Sequence, residues 1–216
     1  MVSIVMATFN RAGTIERALG SVLGQTHADW ELVIVDDGST DTTQEFLEQV
    51  TDSRIRVITH SENRGVCAAK NTGLDNMRGE WFTTLDSDDE MMPDALETML
   101  ECAARTGATA ITCNCLEYST GQFRGAGRPA VDGRLSPKAT ARLRGDHWDL
   151  TRTSLLGDLR FDERLPGYEA IVWLQINRKA RRYYLHRALL VVHTEGEDRV
   201  TSSMRTSSLR DKADSY

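Results

Sequence analysis

The chain has 216 residues, of which 40% are hydrophobic and 27% are charged, and its formal net charge is −6 at pH 7. This length fits one domain with a substantial core, and the acidic balance argues against nucleic-acid binding through a general basic surface. The sequence contains no apolar run near the roughly 20 residues of a membrane-spanning helix and no signal-peptide pattern. We therefore expect a cytoplasmic protein with reduced cysteines, and association with the inner face of the membrane stays open.

The first 116 residues alternate between apolar strand patterns and amphipathic helix patterns. Strands are predicted at residues 3–7, 30–35, 55–59, 81–85 and 110–116, and helices at about 15–23, 46–50, 66–77 and 96–103. This alternation predicts an α/β fold with a Rossmann-like, mostly parallel sheet, right-handed crossovers and helices on both faces. We expect such a fold to bind a nucleotide at the carboxyl ends of its strands.

Residues 117–216 carry a weaker pattern and are expected to form an irregular second half of the same domain. Residues 121–145 are rich in glycine and arginine, which predicts a loop region containing one short helix at 136–143. A helix is predicted at 169–180 and a strand at 188–192. The polar segment 194–216 has little apolar surface of its own, so we expect it to become ordered over a bound ligand.

Three carboxylates follow the predicted strand at residues 81–85. Asp86, Asp88 and Asp89 would lie at the carboxyl end of that strand, where an open α/β sheet presents its ligands. Like charges this close repel each other, and a hard divalent cation with oxygen ligands would remove the conflict. The alternative is a solvated acidic turn before a helix, because acids are favourable in the first turn of a helix. We expect a metal site.

The motifs at these strand ends follow one another in an order that is typical of one enzyme family. They comprise residues 21–26 and 31–41, the run Asn63-Arg64-Gly65, residues 68–73, the D-x-D motif Asp86-Ser87-Asp88, and residues 93–96. In these motifs the chain resembles the family 2 inverting glycosyltransferases of the GT-A fold, strongly over residues 2–116 and more thinly beyond. The resemblance divides the chain into a nucleotide-sugar-binding half, 1–116, and an acceptor-side half, 117–216.

The resemblance also implies a reaction. A sugar would move from a UDP-sugar, or from a dTDP-sugar, to a hydroxyl of a sugar, lipid-linked or small-molecule acceptor, with Mn²⁺ or Mg²⁺ as cofactor. The setting it implies is the synthesis of bacterial polysaccharides or glycoconjugates.

Single residues receive roles from the same resemblance. The loop Thr8, Phe9, Asn10 and Arg11 would contact the nucleoside, and Asp37 would accept the N3–H of a uracil ring. Such a carboxylate would reject cytosine, which has no N3–H. The other implied positions are Arg64, Lys70, Asp86 and Ser87 at the nucleotide, Asp88 and His193 at the metal, and Asp36 in a structural role. A solvated helix residue is the alternative for Lys70, and an ordinary histidine at a strand end is the alternative for His193.

The general base is the position where this chain departs from the family. An Asp preceded by Glu is usual at the start of the late helix, whereas this chain has Tyr168 and Glu169 there. We assign Glu169 as the base, although its longer side chain requires the reacting hydroxyl to shift. The alternatives are that Glu169 only favours the helix N-terminus, or that Asp162 or Glu163 replaces it.

Other protein classes share parts of this pattern. A nucleotidyltransferase or a dinucleotide-binding dehydrogenase would need a glycine-rich loop after the first strand, and residues 8–13 do not supply one. A receiver domain would be shorter and would not need the D-x-D acids in addition to Asp37. The non-enzyme alternative is a degenerate transferase that binds a nucleotide sugar without turnover.

Overall fold

The computed structural model describes residues 1–165 and 170–194, and within these ranges one mixed sheet of nine strands organises the chain. The strands are β1 (Val2–Thr8), β2 (Trp30–Asp36), β3 (Ile55–Thr59), β4 (Trp81–Thr84), β5 (Glu90–Met91), β6 (Ala110–Glu117), β7 (Gly133–Leu135), β8 (His147–Arg152) and β9 (Arg182–Val192). The helices are α1 (Ile15–Leu23), α2 (Thr43–Glu48), α3 (Val66–Asn76), α4 (Ala95–Thr106), α5 (Pro137–Thr140) and α6 (Ala170–Lys179). None of these helices has the length and apolar character needed to cross a membrane.

The sheet has the order β3-β2-β1-β4-β8-β6-β9-β5, and β7 pairs with β9 outside this path. Strands β3, β2, β1 and β4 are parallel, as are β6 and β9, whereas β8 is antiparallel to both of its neighbours. The predicted α/β fold with a mostly parallel sheet is thereby confirmed. Because β8 lies between β4 and β6, the two halves of the sequence share one sheet.

Helices cover both faces of the central strands, which explains the apolar runs at residues 4–7 of β1 and 32–35 of β2. Helices α1 and α4 contribute to the larger hydrophobic cluster, and α3 and α6 contribute to a cluster around Val5 and Phe82. Helix α3 lies very close to β1 at Gly73, where an added Cβ would lie 2.3 Å from Val5 Cγ1. Only glycine allows this approach.

Several predicted boundaries in the chain are wrong. Strand β8 was not predicted, although Trp148 and Leu150 are buried at alternating positions within it. Strand β9 begins at Arg182 and not at residue 188, because Arg182 is itself buried and a charged side chain hides the apolar pattern. Helix α5 ends at Thr140, before the predicted residue 143, and α2 ends at Glu48. The predicted ordering of residues 195–216 lies outside the described residues.

Candidate active site

The carboxyl ends of β1, β2 and β4 bring three loops together at one edge of the sheet. Thr8 pairs with Asp36 in the β1–β2 register, and the Asp37 amide donates to the Thr8 carbonyl at 2.8 Å. On the other side of β1, the Leu85 amide donates to the Val5 carbonyl at 3.0 Å. The loop 8–11, Asp37 and the D-x-D loop, which we define as residues 86–88, therefore lie side by side.

The loop after β1 is locked onto the loop after β2 through Asn10. Asn10 has a φ of 53°, which is unusual for a residue other than glycine. The side-chain oxygen of Asn10 accepts from the backbone amides of Thr40 at 2.8 Å and Asp41 at 3.3 Å. The backbone amide of Asn10 donates to Ser39 Oγ at 2.9 Å. Burial alone would raise the pKa of Asp41, but hydrogen bonds, chiefly from Thr43, lower it. The Asn10 side chain thus shapes the loop.

The other residues of this loop differ in their exposure and in their hydrogen bonds. The Arg11 amide donates to Thr43 Oγ1 at 2.8 Å, while Phe9 stays 37% exposed. Thr8 is 3% exposed, and its Oγ1 is buried without a hydrogen-bond partner among the described residues. A buried hydroxyl without a partner is costly, so Thr8 is suited to a ligand contact that supplies one.

Asp37 is a buried carboxylate, 2% exposed, that already accepts three hydrogen bonds. Its Oδ1 lies 3.0 Å from the Arg64 amide and 2.7 Å from His60 Nδ1, and its Oδ2 lies 2.7 Å from the Gly65 amide. A carboxylate offers about four acceptor positions, so the described residues leave one position, on Oδ2. Its neighbour Asp36 is fully buried, and its carboxylate accepts from the Ser39 amide at 3.2 Å and from Gln44 Nε2 of α2 at 2.9 Å.

Two basic residues connect this region to other parts of the edge. Lys70 Nζ on α3 lies 3.3 Å from Asp86 Oδ1, so α3 places its positive charge at the D-x-D loop. Arg64 reaches the second half of the chain, where its guanidinium lies 3.4 Å from Glu163 Oε2. Arg64 therefore links the loop after β3 to the segment that precedes the predicted base.

The D-x-D loop has one buried and two more open members. Ser87 is 5% exposed, whereas the Asp86 side chain is 60% exposed and Asp88 is half-buried. Arg17, on α1, donates to the Asp88 carbonyl at 2.6 Å and fixes the backbone there. No group of three His, Cys, Asp or Glu side chains in the described ranges could hold a metal ion alone. Magnesium commonly takes only one or two carboxylates plus substrate phosphates, and the acids fit that arrangement.

His193 is held next to the same loop, at the end of β9. It is 4% exposed; its amide donates to Asp89 Oδ1 at 3.1 Å, and its Nε2 lies 2.6 Å from Glu90 Oε1. The ring of Tyr118 stacks on it at 4.3 Å between centroids, and Arg17 Nε lies 3.3 Å from the same Glu90 oxygen. A metal contact through Nε2 would therefore compete with Glu90.

Glu169 lies outside the described residues, but the chain on both sides of it is anchored. The Asn71 side chain on α3 exchanges two hydrogen bonds with the backbone of Phe161, at 2.9 and 2.8 Å. On the C-terminal side of Glu169, α6 packs Trp173 against Phe82 of β4, with ring centroids 6.2 Å apart. Both anchors lie on the face of the sheet that α3 covers.

The two substitutes for Glu169 already have protein partners. Asp162 is bound by Arg164, whose side-chain hydrogen bonds lower the pKa of Asp162 to about 2. A general base that works near neutral pH needs a higher value. Glu163 contacts Asn71 Nδ2 at 3.1 Å as well as Arg64. These contacts favour structural roles for both residues.

Sequence reasoning missed three residues at this edge, namely Arg17, His60 and Thr72. His60 could have been found, because it directly follows β3 and so must lie at the carboxyl edge. Arg17 and Thr72 gave no such signal, since each occupies an ordinary helix position.

Comparison with known proteins agrees with this geometry. Residues 3–157 match the family model described as Glycosyl transferase family 2. The GalNAc(5)-diNAcBac-PP-undecaprenol beta-1,3-glucosyltransferase of Campylobacter jejuni is 33% identical over 208 residues, which cover 92% of this chain and 66% of that protein. The UDP-Glc:alpha-D-GlcNAc-diphosphoundecaprenol beta-1,3-glucosyltransferase WfgD of Escherichia coli is 39% identical over 100 residues, 46% of this chain and 40% of that one.

The fold also matches solved structures. The structure of S. aureus TarS 1-349 in complex with UDP-GlcNAc aligns with a TM-score of 0.83 at 20% identity, covering 93% of this chain and 60% of that one. This likeness shows the shared fold. The chain spans less than two thirds of the length of these relatives.

Proposed function

The chain belongs to glycosyltransferase family 2, and from this premise we propose that it transfers a sugar from a UDP-sugar to an acceptor hydroxyl. The observation that carries the proposal is Asp37, a buried carboxylate with one acceptor position left, beside the open carboxylates of the D-x-D loop. The E. coli relative is named for UDP-Glc, and TarS was solved with UDP-GlcNAc, which supports the same donor class.

Recognition of the base follows from the hydrogen-bonding pattern at Asp37. A uracil ring presents an N3–H, which can donate to the remaining acceptor position, and a charge-assisted bond of this kind is strong. Thymine presents the same N3–H, so a dTDP-sugar is the alternative donor. Thr8, Phe9, Asn10 and Arg11 would border the nucleoside, with Arg64 beside the base or phosphates.

The diphosphate would lie over the D-x-D loop. Asp88 would hold Mn²⁺ or Mg²⁺, Asp86 would orient the sugar or ribose, and Ser87 would lie between them. The cation, when bound, stabilises the negative charge that grows on the departing diphosphate. Lys70, already 3.3 Å from Asp86, would add positive charge at the same place. His193 would be the more distant contact to the metal or phosphate.

The acceptor side belongs to residues 117–216. We assign Glu169 the role of general base, which takes the proton of an acceptor hydroxyl as that oxygen attacks the anomeric carbon and the diphosphate leaves from the opposite side. One displacement of this kind inverts the anomeric configuration. The C. jejuni relative is named for a diphosphoundecaprenol-linked acceptor, so we extend the proposal to lipid-linked acceptors of bacterial glycoconjugate synthesis at the inner face of the membrane.

The proposal is tested by calorimetry with UDP, dTDP and GDP, each with Mn²⁺ and with excess chelator. We expect metal-dependent binding of UDP or dTDP, and loss of that binding in Asp88→Ala without loss of the fold. Asp75→Ala, which removes an exposed carboxylate at the far end of α3, is the matched control and should bind normally. A preference for GDP, or binding that survives the chelator, would refute the donor assignment.

Turnover separates an enzyme from a degenerate binding module. A panel of UDP-sugars with Mn²⁺, scored by the slow release of UDP, should identify one donor that is hydrolysed well above the others. If a UDP-sugar binds but none is ever hydrolysed or transferred, the chain is a binding module.

A further inference from the structure

We propose that His60 is a positioning residue for the donor's base, which orients Asp37 so that its remaining acceptor position faces the N3–H of uracil. This inference rests on the proposed function, because it takes Asp37 as the carboxylate that recognises the base.

His60 is fixed on every side. It follows β3, and its amide donates to the Asp36 carbonyl at 2.8 Å. Its Nδ1 lies 2.7 Å from Asp37 Oδ1, and its Nε2 lies 2.9 Å from Thr72 Oγ1 on α3. The imidazole is only 8% exposed. A histidine that bridges two elements in this way cannot turn without breaking a hydrogen bond.

The partners of the ring fix its orientation. A carboxylate that accepts from the ring receives the hydrogen of Nδ1. The Thr72 hydroxyl can either donate to Nε2 or accept from it, so it satisfies the second ring nitrogen in either role. Asp37 and Thr72 therefore hold the ring from both ends.

This arrangement decides which acceptor position of Asp37 stays available. Oδ1 takes two donors, His60 and the Arg64 amide, and Oδ2 takes the Gly65 amide. Without His60, Oδ1 and Oδ2 would each keep one backbone amide as a donor, and rotation of the carboxylate about its χ2 angle would be less restricted. Uracil would lose part of its bond to Oδ2, while cytosine, whose N3 is an acceptor, would meet less repulsion. His60 therefore governs the choice between the two pyrimidines.

The test measures the dissociation constants of UDP and CDP with Mn²⁺ for the wild type, His60→Ala and His60→Asn. We expect the wild type to prefer UDP, and His60→Ala to reduce the ratio of the two constants roughly tenfold, as expected for losing a hydrogen bond to a charged group. His60→Asn should retain most of the preference, because its amide can still donate to Asp37. His186→Ala removes an exposed histidine of β9 and is the matched control.

The outcomes separate this inference from the function on which it rests. If the wild type does not prefer UDP to CDP, the base assignment of Asp37 fails, and the role of His60 fails with it. If the wild type prefers UDP but His60→Ala keeps the ratio, His60 is not a positioning residue, while the proposed function stands. If His60→Ala weakens the binding of UDP and CDP equally, His60 has only a structural role and is not a positioning residue.

A second variant covers the case in which His60→Ala does not fold. Thr72→Val keeps the shape of the threonine and removes the hydroxyl that forms a hydrogen bond with Nε2. We expect it to lower the UDP-to-CDP ratio by a smaller factor than His60→Ala. An unchanged ratio in a folded Thr72→Val protein would overturn the proposal.

Discussion

Replacing Gly73 with alanine tests whether the close contact between α3 and β1 positions the proposed nucleotide site. The new Cβ would lie 2.3 Å from Val5 Cγ1, whereas carbon atoms in contact are normally about 3.5–4.0 Å apart. Val5 is fully buried and lies in the hydrophobic cluster that includes Phe82. Helix α3 or strand β1 must therefore move by roughly 1 Å.

Two opposing effects determine how much Gly73→Ala changes the free energy of unfolding. Overpacking a core in this way costs about 1–3 kcal/mol, and the better helix propensity of alanine offsets about 1 kcal/mol. We expect the free energy of unfolding to fall by up to about 2 kcal/mol, which for a chain of this size lowers the melting temperature by up to roughly 8 °C. Because α3 also carries Lys70 and Thr72, UDP affinity should fall as well.

Urea denaturation of Gly73→Ala, Val5→Ala and the double variant provides the measurement. Val5→Ala removes the methyl group that clashes, so the double variant should be less destabilised than the sum of the single changes. Gly20→Ala is the control, because Gly20 lies within α1 and an added Cβ meets nothing within 4 Å. It should be neutral or stabilising by up to about 1 kcal/mol. If Gly73→Ala behaves like Gly20→Ala, or if the double variant is additive, the close-packing explanation is wrong.

Three further predictions concern catalysis, the core and the thiols. Glu169→Gln keeps the size of the base but not its basicity, so sugar transfer should fall by roughly 10²-fold or more at nearly unchanged UDP affinity; near-normal transfer would exclude Glu169. Asp149→Ala leaves the buried Arg182 without the carboxylate that lies 2.5 Å away, and urea denaturation should show a loss of about 3 kcal/mol; a loss under about 1 kcal/mol would mean that water reaches the guanidinium. Burial raises the pKa of the Cys113 and Cys115 thiols, so a thiol reagent should modify them only after unfolding, and fast labelling of the native protein would contradict their burial.

The first half of the fold could be predicted because its signal is local. Every residue of β2 (Trp30–Asp36) is buried, and apart from Glu31 the strand appears in the sequence as an apolar run that ends in acids. The start of β9 gave no such signal, because it depends on Arg182 meeting Asp149, a partner far away in the sequence. A charge that is buried against a distant partner looks like a surface charge until the partner is known.

At the candidate site, too, the sequence predicts the topology but not the geometry of the side chains. Strand ends determine that Asp37 and the D-x-D loop lie at one edge, and the sequence predicts this. What the sequence does not contain is the direction of the side chains, for example the contact of His193 Nε2 with Glu90 or of His60 with Asp37. These contacts depend on distances between elements that only the packed structure sets.

Helix α3 is the element on which these contacts converge. Lys70 reaches the D-x-D loop, Asn71 holds the segment that leads toward the predicted base, Thr72 holds His60, and Gly73 fits against β1. Successive residues of an α-helix point about 100° apart, so four consecutive positions can serve four different neighbours. This also explains why α3 lacks a clear amphipathic stripe: it is contacted on several sides by polar partners. A displacement of this one helix would therefore disturb the contacts of the D-x-D loop, of His60 and of the segment at residues 161–165 together.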